Sequence, residues 1–501
     1  MWLGSGKAGL DVFRNAPERT VQIAQEHEGG SRVSNQAVDQ KAFYRPLDDA
    51  KLSQFHWRTV LTAGMGFFTD AYDLFIIGTV TAILTPIWHL TTGQLMWLNS
   101  TSLLASVLGA LVFGRLMDLL GRKTMYGVEV VILTLGAIVS AFSGNVLQLI
   151  ILRAVVGFAV GGDYATSAVI TSEYANRKDR GRMIGTVFAM QGFGLLAGPA
   201  VAAILLASGM PHDLAWRLML GLGAIPAASV IYLRRKIKET PRFTLGVRGD
   251  VDQTAATVQD LTGETVETHV GTVQTSRRSL LQAPYLLRLI GTAGSWFLMD
   301  VAFYGNSVSS SIILKALLPK APLLETTLIS AGIFLIAAVP GYWVAVALMD
   351  RIGRRRIQWQ GFAVMAAAYG LIFLVPGIVK LPFLFLAVYG ISYFFIEFGP
   401  NQTTFVYPAE IFPVEVRGMG DGISAAGGKT GGFLGAFLMP LLVADLHLPA
   451  TMGILAGASL LGVLLTLVAL PEPKQKTLEE ASGETATPSW SSDASVLSAG
   501  G

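Results

Sequence analysis

Residues 114–123 read Gly-Arg-Leu-Met-Asp-Leu-Leu-Gly-Arg-Lys, and residues 350–355 read Asp-Arg-Ile-Gly-Arg-Arg. The two segments share the order Asp-x-x-Gly followed by two basic residues, and each lies between two long apolar stretches. Glycine suits the tight turn of a short loop, and the acid and the bases can form ion pairs at the helix ends. One copy alone fits a simpler interpretation, in which any short loop beside a membrane is basic and rich in glycine.

A second motif also occurs twice, which argues against the simpler interpretation. Glu173 is followed seven residues later by Arg180-Gly181, and Glu410 is followed at the same distance by Arg417-Gly418. These copies are 237 positions apart, close to the 232 that separate the copies of the first motif. Two motifs repeated at nearly the same offset predict a chain built from two related halves.

The composition is typical of an integral membrane protein. Of the 501 residues, 52% are apolar and 14% charged, whereas soluble domains carry about 25% charged residues. A helix needs roughly 20 mostly apolar residues to cross a bilayer. Twelve stretches meet this length: residues 57–84, 95–118, 125–144, 146–172, 182–208, 214–237, 287–315, 324–349, 357–377, 381–405, 418–445 and 449–470. The predicted fold class is therefore all-α integral membrane, with twelve transmembrane helices.

Lysine and arginine predict the orientation of these helices. With the N-terminus placed in the cytoplasm, 23 of the 37 basic residues fall in the inner loops, the adjoining ends of the stretches and the C-terminal flank, and eight more fall in the N-terminal tail and at the start of the first stretch. Only Lys315, Lys320 and Lys380 fall in the outer loops. This positive-inside bias predicts that both termini are cytoplasmic. The predicted domains are a cytoplasmic tail at 1–56, a six-helix bundle at 57–237, a cytoplasmic linker at 238–286, a second six-helix bundle at 287–470 and a cytoplasmic tail at 471–501.

Other features limit the classes of function. The net charge of +3 is too small to indicate a nucleic-acid partner, and the absence of cysteine excludes disulfides and thiolate metal sites. The N-terminal tail has no apolar core of a secretory signal. The sequence shows no pairing of a nucleophile with a base and no cluster of metal ligands, so we expect neither an enzyme nor a resident metal or cofactor.

Polar side chains interrupt several of the apolar stretches. An ionisable group at membrane depth costs about 2.5–3.5 kcal/mol on insertion scales, so each one is a functional hypothesis. Trp296, Asp300 and Tyr304 are spaced four residues apart and form one stripe on a helix. Lys429 is the only lysine that lies away from the ends of an apolar stretch. Hydrogen-bond donors such as Trp296 and Tyr304, together with the single cation Lys429, suit the binding of a small oxyanion.

A structural interpretation stays open for three of the charged groups. Arg153 can serve only to tie helices together, Glu129 can be an acid at a helix end, and Asp73 can pair with a base instead of titrating.

The repeated loop motif resembles the signature of the major facilitator superfamily, Gly-x-x-x-Asp-x-x-Gly-(Arg/Lys)-(Arg/Lys), and the resemblance extends over about residues 57–480. It includes Lys-Glu-Thr-Pro-Arg at 238–242 and Pro-Glu-Pro-Lys at 471–474, while Val346 replaces the leading glycine in the second copy. The resemblance implies two six-helix bundles, a site between them near the middle of the membrane, and alternating access. It implies a gating role for Gly114, Asp118, Gly121, Arg122, Asp350, Gly353 and Arg354.

Three further segments resemble the phosphate:proton symporters of this superfamily. They are Gly-Gly-Asp-Tyr-Ala-Thr-Ser-Ala at 161–168, Gly-Phe-Phe-Thr-Asp-Ala-Tyr-Asp at 66–73, and Gly-Pro-Asn-Gln-Thr-Thr-Phe at 399–405. The resemblance implies import of inorganic phosphate coupled to protons, with substrate-binding residues Tyr164, Gln191, Trp296, Asp300, Tyr304, Asn401 and Lys429. It implies proton-coupling roles for Asp70, Asp73, Glu129 and Asp163.

The chain departs from that pattern at two places. Ala165-Thr166 replaces a Pro-Leu pair beside the implied site, and Glu397 stands where a neutral residue is expected, one turn from Asn401. Two other functions stay open: a proton-coupled porter for another solute, such as a sugar or a small organic acid, and a nutrient-sensing homologue. The expected partners are inorganic phosphate, protons and the lipid bilayer of the plasma membrane, with no nucleic acid.

Overall fold

A computed structural model describes residues 40–266 and 278–484. Within these two ranges the regular structure is helical, without β-strands. The predictions for the two tails and for the linker fall partly on residues 1–39, 267–277 and 485–501, which lie outside the described residues. The α-helices are α1 Gln40–Asp48, α2 Gln54–Trp88, α3 Thr92–Leu120, α4 Arg122–Ser140, α5 Val146–Tyr174, α6 Arg180–Ala207, α7 His212–Gly221, α8 Ala224–Lys236, α9 Pro241–Gly246, α10 Val251–Thr262, α11 Tyr285–Val308, α12 Ser310–Leu317, α13 Leu323–Ile333, α14 Val339–Ile352, α15 Arg354–Leu374, α16 Pro382–Ile396, α17 Gln402–Ile411, α18 Arg417–Ala469 and α19 Leu478–Ser482.

Eleven helical segments of the described chain are long and apolar enough to cross a membrane. Three of these segments each consist of two consecutive helices: α7 and α8, α13 and α14, and α16 and α17. The longest segment is α18, with 53 residues. At 1.5 Å per residue it would measure about 80 Å, more than twice the hydrocarbon core of a bilayer. Its backbone breaks at His447, where φ is 61° and ψ is 164°, so it divides into two spans and brings the number to twelve.

Local sequence signals explain where several helices begin. The Thr91 side chain accepts a hydrogen bond from the backbone of Gln94, whose own side chain accepts one from the Thr91 backbone. The Asn145 side chain caps the start of α5 by accepting from the Gln148 backbone. These contacts satisfy backbone N–H groups that the first helical turn leaves free.

The twelve spans form two bundles of six. The first bundle holds α2 to α8, with α2 packed on α6 and α3 on α5; the second holds the spans from α11 to α18, with α11 and α15 packed on α18. Between the bundles, α3 packs on α18 and α6 on α14. Large apolar side chains such as Leu108, Leu135 and Ile336 point outward, which matches a surface that faces lipid. The all-α, twelve-span prediction is confirmed.

Candidate functional site

The two copies of the loop motif lie at the same end of the molecule, which we call the motif face. Asp118 on α3 accepts hydrogen bonds from the backbone N–H groups of Gly418 and Met419, at 3.0 and 2.8 Å, at the start of α18. Asp350 on α14 accepts from the N–H groups of Gly181 and Arg182, at 3.2 and 2.7 Å, at the start of α6. Each aspartate therefore caps the positive end of a helix from the opposite bundle.

Arginines and glutamates extend these contacts symmetrically. Arg122 contacts Glu173 at 3.2 Å within the first bundle, and Arg417 of the second bundle contacts the same carboxylate at 3.0 Å. In the mirror arrangement, Glu410 lies 2.7 Å from Arg354 of its own bundle and 3.0 Å from Arg180 of the first. All six of these side chains are buried. Together they hold the motif face closed.

Gly121 and Gly353 occupy equivalent turns in the two loops. Their φ angles are +106° and +100°, a region that side chains with a Cβ rarely adopt. At the first turn Glu239 accepts from the Arg122 N–H at 3.0 Å, and at the second Glu472 accepts from the Arg354 N–H at 3.1 Å. Burial raises the pKa of Glu239 above its ordinary value. A methyl group on either glycine would collide with the capping glutamate.

Gly114, the leading residue of the first motif copy, lies where the two bundles touch. A Cβ there would come within 2.7 Å of the Gly418 carbonyl oxygen and 2.9 Å of the Gly422 Cα. The close approach of α3 to α18 therefore requires a residue without a side chain at this position.

Residues from the tails and the linker brace the same face. Arg242 contacts Asp48 at 2.7 Å and Glu479 at 3.0 Å, and it donates to the carbonyl oxygen of Glu173 at 2.6 Å. Burial is the largest influence and would raise the pKa of Glu479, but the charges of Arg242 and Arg417 and the hydrogen bonds to this carboxylate together outweigh burial and lower the pKa.

A buried cluster around Lys429 lies between the bundles. The Lys429 ammonium donates to the Tyr304 hydroxyl at 2.8 Å, lies 3.5 Å from the centre of the Tyr164 ring, and is 3.9 Å from Asp300 Oδ2. The Tyr164 and Tyr304 hydroxyls are 3.2 Å apart. Asp300 Oδ2 has no hydrogen-bond partner among the described residues. The cluster therefore offers one cation, several donors and one free acceptor atom.

A chain of hydrogen bonds joins this cluster to the second bundle through Tyr342. Tyr164 donates to Gln191 Oε1 at 2.9 Å, and Gln191 Nε2 donates to the Tyr342 hydroxyl at 3.0 Å. Asn401 Nδ2 donates to the same hydroxyl at 2.8 Å. The Trp296 ring lies 6.1 Å from the Tyr164 ring, centre to centre. The structure thus brings all seven predicted substrate-binding residues together, while their binding role stays a prediction.

The predicted proton-coupling acids divide into three environments. Asp73 pairs with Arg153 at 2.6 Å, which agrees with the structural interpretation that stayed open for both. Glu129 and Asp163 pair with one arginine, Arg234, at 3.1 and 2.8 Å. Glu129 is the eighth residue of α4, so it does not lie at a helix end.

Asp70 has an environment of its own. It is buried, and neither of its carboxyl oxygens accepts a hydrogen bond from the described part of the chain. One helical turn earlier, Gly66 lies directly against Arg234 and Asp163, and Phe67 packs on Tyr164 with ring centres 4.8 Å apart. Asp70 therefore lies between the Arg234 pairs and the Lys429 cluster.

Sequence reasoning missed Arg234 and Tyr342. Arg234 belongs to the run Arg-Arg-Lys at 234–236, which we counted as loop residues facing the cytoplasm. Its buried guanidinium lies over the Tyr126 ring, 4.2 Å from the ring centre. Tyr342 lies in an apolar stretch where a tyrosine gives no signal by itself. The only sequence hint for Arg234 is that two unpaired acids within spans need a base.

Aromatic side chains cover the cluster on both sides. Toward the motif face, the Phe405 ring stacks on Phe188 at 4.5 Å and packs edge-on against Phe67 at 4.9 Å. Toward the opposite face, Phe75 stacks on Tyr304 at 5.5 Å. Beyond Phe75 lies a cavity of about 20 Å³ between the bundles, lined in part by Ser307. The cluster is thus enclosed by aromatic rings, and a narrow space lies on the side away from the motif face.

The sequence profile of the family described as "Sugar (and other) transporter" matches residues 53–484. The chain belongs to the major facilitator superfamily. A solved structure of a member, the proton:xylose symporter XylE bound to 6-bromo-6-deoxy-D-glucose, has a TM-score of 0.74 at 21% identity, covering 86% of this chain and 99% of that one. The inward open conformation of XylE from E. coli gives 0.62 at 20% identity, covering 86% and 99%. These likenesses show the fold.

Curated members of the superfamily are more similar in sequence. A probable inorganic phosphate transporter 1-12 of Oryza sativa subsp. japonica is 39% identical over 508 residues, covering 87% of this chain and 93% of its own length. Inorganic phosphate transporter 1-1 of Arabidopsis thaliana is 36% identical over 515 residues, covering 89% and 98%. The family predicted from the motifs is confirmed, and the chain is a multi-pass membrane protein of a transporter family.

Proposed function

We propose that this protein imports inorganic phosphate together with protons across the plasma membrane by alternating access, and that it catalyses no chemical reaction. The observation that carries the proposal is the enclosed cluster around Lys429, because it combines the chemistry of an oxyanion site with a position between two bundles. The phosphate transporters that resemble the chain over most of its length support the same substrate.

Phosphate would bind the cluster through complementary groups. The Lys429 ammonium supplies the positive charge, and Tyr164, Gln191 and Asn401 supply neutral donors. Asp300 Oδ2, which accepts no hydrogen bond from the described residues, would accept one from the hydroxyl group that phosphate still carries at neutral pH. A fully deprotonated anion cannot satisfy that oxygen, and leaving a buried acceptor unpaired costs about 1–3 kcal/mol.

Protons would enter through acids of the first bundle. Asp70 is buried and forms no ion pair or hydrogen bond among the described residues, and an uncompensated buried carboxylate is costly, so Asp70 would be a site that accepts a proton. Asp163 and Glu129 share Arg234, and protonation of Asp163 would loosen that pair. Moving one negative charge inward against 100 mV costs about 2.3 kcal/mol, so more than one proton per monovalent phosphate is needed for the potential to assist import.

Alternating access would use the contacts at the motif face, which we place in the cytoplasm. The structure has this face closed by symmetric ion pairs and helix caps, with a remaining cavity toward the other side. Release of phosphate would require these contacts to separate.

Transport of labelled phosphate by the purified protein in proteoliposomes tests the proposal. Uptake should rise when the external medium is made acidic and rise further when a potassium diffusion potential makes the interior negative. Unlabelled phosphate should exchange with labelled phosphate without a pH gradient, while xylose, malate and sulfate should fail to exchange. Exchange with xylose or malate instead of phosphate would assign a different solute. Phosphate binding without exchange or uptake would favour a sensor.

A further inference from the structure

Glu397 is a buried acid beside the site that no step described so far uses. It lies on a π-helical turn, Glu397–Asn401, between α16 and α17, and Gly399 within that turn departs from helical geometry with φ −98° and ψ −112°. Turns of this kind occur frequently at functional sites. The turn places the Glu397 carboxyl against the Asn401 side chain, whose amide donates to Glu397 Oε2.

No cation compensates this carboxyl in the part of the chain that the structure describes. The ionisable groups that face it are Asp300 on α11, Tyr342 on α14, Tyr369 on α15 and Tyr393 on α16. One is an acid and three are neutral hydroxyls, while α17 adds none among the described residues. The second carboxyl oxygen, Oε1, has no hydrogen-bond partner there. An ionised Glu397 would therefore be a buried negative charge without a counterion among the described residues. Such a charge is strongly disfavoured.

The same carboxyl is connected to both bundles. Asn401 bonds Glu397 and the Tyr342 hydroxyl, and Gln191 of the first bundle bonds that hydroxyl too. An ionised Glu397 would retain the Asn401 amide and add a negative charge next to Asp300, which opposes binding of an anion. A protonated Glu397 removes that charge and leaves the Asn401 amide free to turn toward the anion.

We propose that Glu397 is a proton-coupling residue of the second bundle, which must be protonated for phosphate to bind and which carries one proton per phosphate in addition to those carried by the first bundle. The proposal rests on the proposed function. It differs from the roles of Asp70 and Asp163, because the Glu397 proton acts directly on Asn401, a side chain proposed to bind the substrate.

The proton-to-phosphate ratio of the Glu397→Gln variant tests the proposal. Proteoliposomes are held at zero potential with valinomycin and equal potassium, a pH gradient of one unit is imposed, and the phosphate gradient at zero net flux is measured. Loss of one proton per phosphate lowers that gradient about tenfold for one pH unit. Glu325→Gln, at an exposed acid of α13, is the matched control and should keep the wild-type gradient. An unchanged gradient in Glu397→Gln would overturn the proposal.

Two further measurements keep the outcome interpretable. If wild-type vesicles fail to exchange labelled for unlabelled phosphate, the proposed function fails, independently of Glu397. If Glu397→Gln is inactive, proton uptake on adding inorganic phosphate to detergent-purified protein in weak buffer replaces the flux measurement. In a medium alkaline enough to ionise Glu397 in the free protein, wild type should then take up one proton more per bound phosphate than the Glu397→Gln variant. Equal proton uptake by the two proteins would contradict the assignment.

Discussion

Asparagine in place of Asp118 and Asp350 is expected to open the motif face without changing the size of either side chain. Each carboxylate accepts two backbone N–H groups from the opposite bundle, at 3.0 and 2.8 Å for Asp118 and at 3.2 and 2.7 Å for Asp350. An asparagine keeps one acceptor oxygen, turns an NH₂ group toward the other N–H, and removes the charge that complements the helix end.

The size of the shift in the equilibrium between the closed and the open motif face follows from the number of hydrogen bonds that each variant loses. One hydrogen bond to a charged group is worth about 1.5–3 kcal/mol, which corresponds to roughly 10- to 150-fold in the equilibrium between the closed and the open motif face. The contact of Asp118 with Arg122, at 3.4 Å, lies within one bundle and persists in both states. Because Asp118 and Asp350 share no hydrogen-bond partner, their effects should add to about 3–6 kcal/mol in the double variant.

Distance measurement between spin labels can follow this equilibrium. The chain has no cysteine, so cysteines at Lys123 and Arg356, exposed on the motif face in opposite bundles, would carry the only labels. Pulsed electron paramagnetic resonance in lipid nanodiscs should show two label-to-label distances, the longer one from the open motif face. The fraction of molecules at the longer distance should increase in each single variant and should predominate in the double variant. Asp252→Asn, at an exposed acid of α10, is the control and should leave the distances unchanged.

Two results would contradict the reasoning. An unchanged distance distribution in the double variant would mean that these caps do not hold the face closed. A full effect from one single variant, with none from the other, would contradict the equivalence of the two contacts.

Three further predictions concern single residues. Lys429→Ala should abolish phosphate binding measured by calorimetry, because it removes the cation of the cluster; an unchanged affinity would place the anion elsewhere. Wild type should bind sulfate at least about tenfold more weakly than phosphate, a difference of about 1.4 kcal/mol. In competition binding at neutral pH, Asp300→Asn should reduce this difference in affinity. Equal displacement by both anions in wild type would show that Asp300 does not discriminate between them. Burial raises the pKa of Glu484 from its ordinary 4.5 to about 7. The folded state therefore favours the neutral carboxyl, and the wild-type protein loses stability as the pH rises from 4.5 to about 7. The melting temperature of Glu484→Gln minus that of wild type should therefore increase between pH 5 and pH 8, and a constant difference would show that Glu484 does not titrate in this range.

The spans and the two halves could be predicted from the sequence because each depends on a local signal. Span length follows from bilayer thickness and appears as a run of apolar residues. The repeated motifs appear as fixed spacings, and the structure gives them matching contacts, with Asp118 and Asp350 capping helices of the opposite bundle.

The pairing of charges could not be predicted, because it depends on which helix faces meet. Arg234 follows an apolar stretch and precedes two further basic residues, so its sequence context matches a cytoplasmic loop. Its role as partner of Glu129 and Asp163 depends on three helices, α4, α5 and α8, meeting at one depth. Likewise, Tyr342 joins two bundles only because α14 packs on α6.

Among the described residues, the two halves differ in whether an acid at the centre lies within 4.0 Å of a cation. Asp70 and Asp300 end the matching segments Phe-Phe-Thr-Asp and Phe-Leu-Met-Asp. At the offset of 237 that relates Arg180 to Arg417, the position equivalent to Lys429 is Gly192, which lies against the Tyr342 ring. A lysine there would collide with that ring, so the first half cannot place a cation as the second half does. Asp300 therefore lies 3.9 Å from the Lys429 ammonium, whereas no lysine or arginine of the described residues lies within ion-pair distance of Asp70. The repeated architecture thus combines symmetric contacts at the motif face with an asymmetric pair of acids at the centre, which under the proposed function would bind phosphate in one half and a proton in the other.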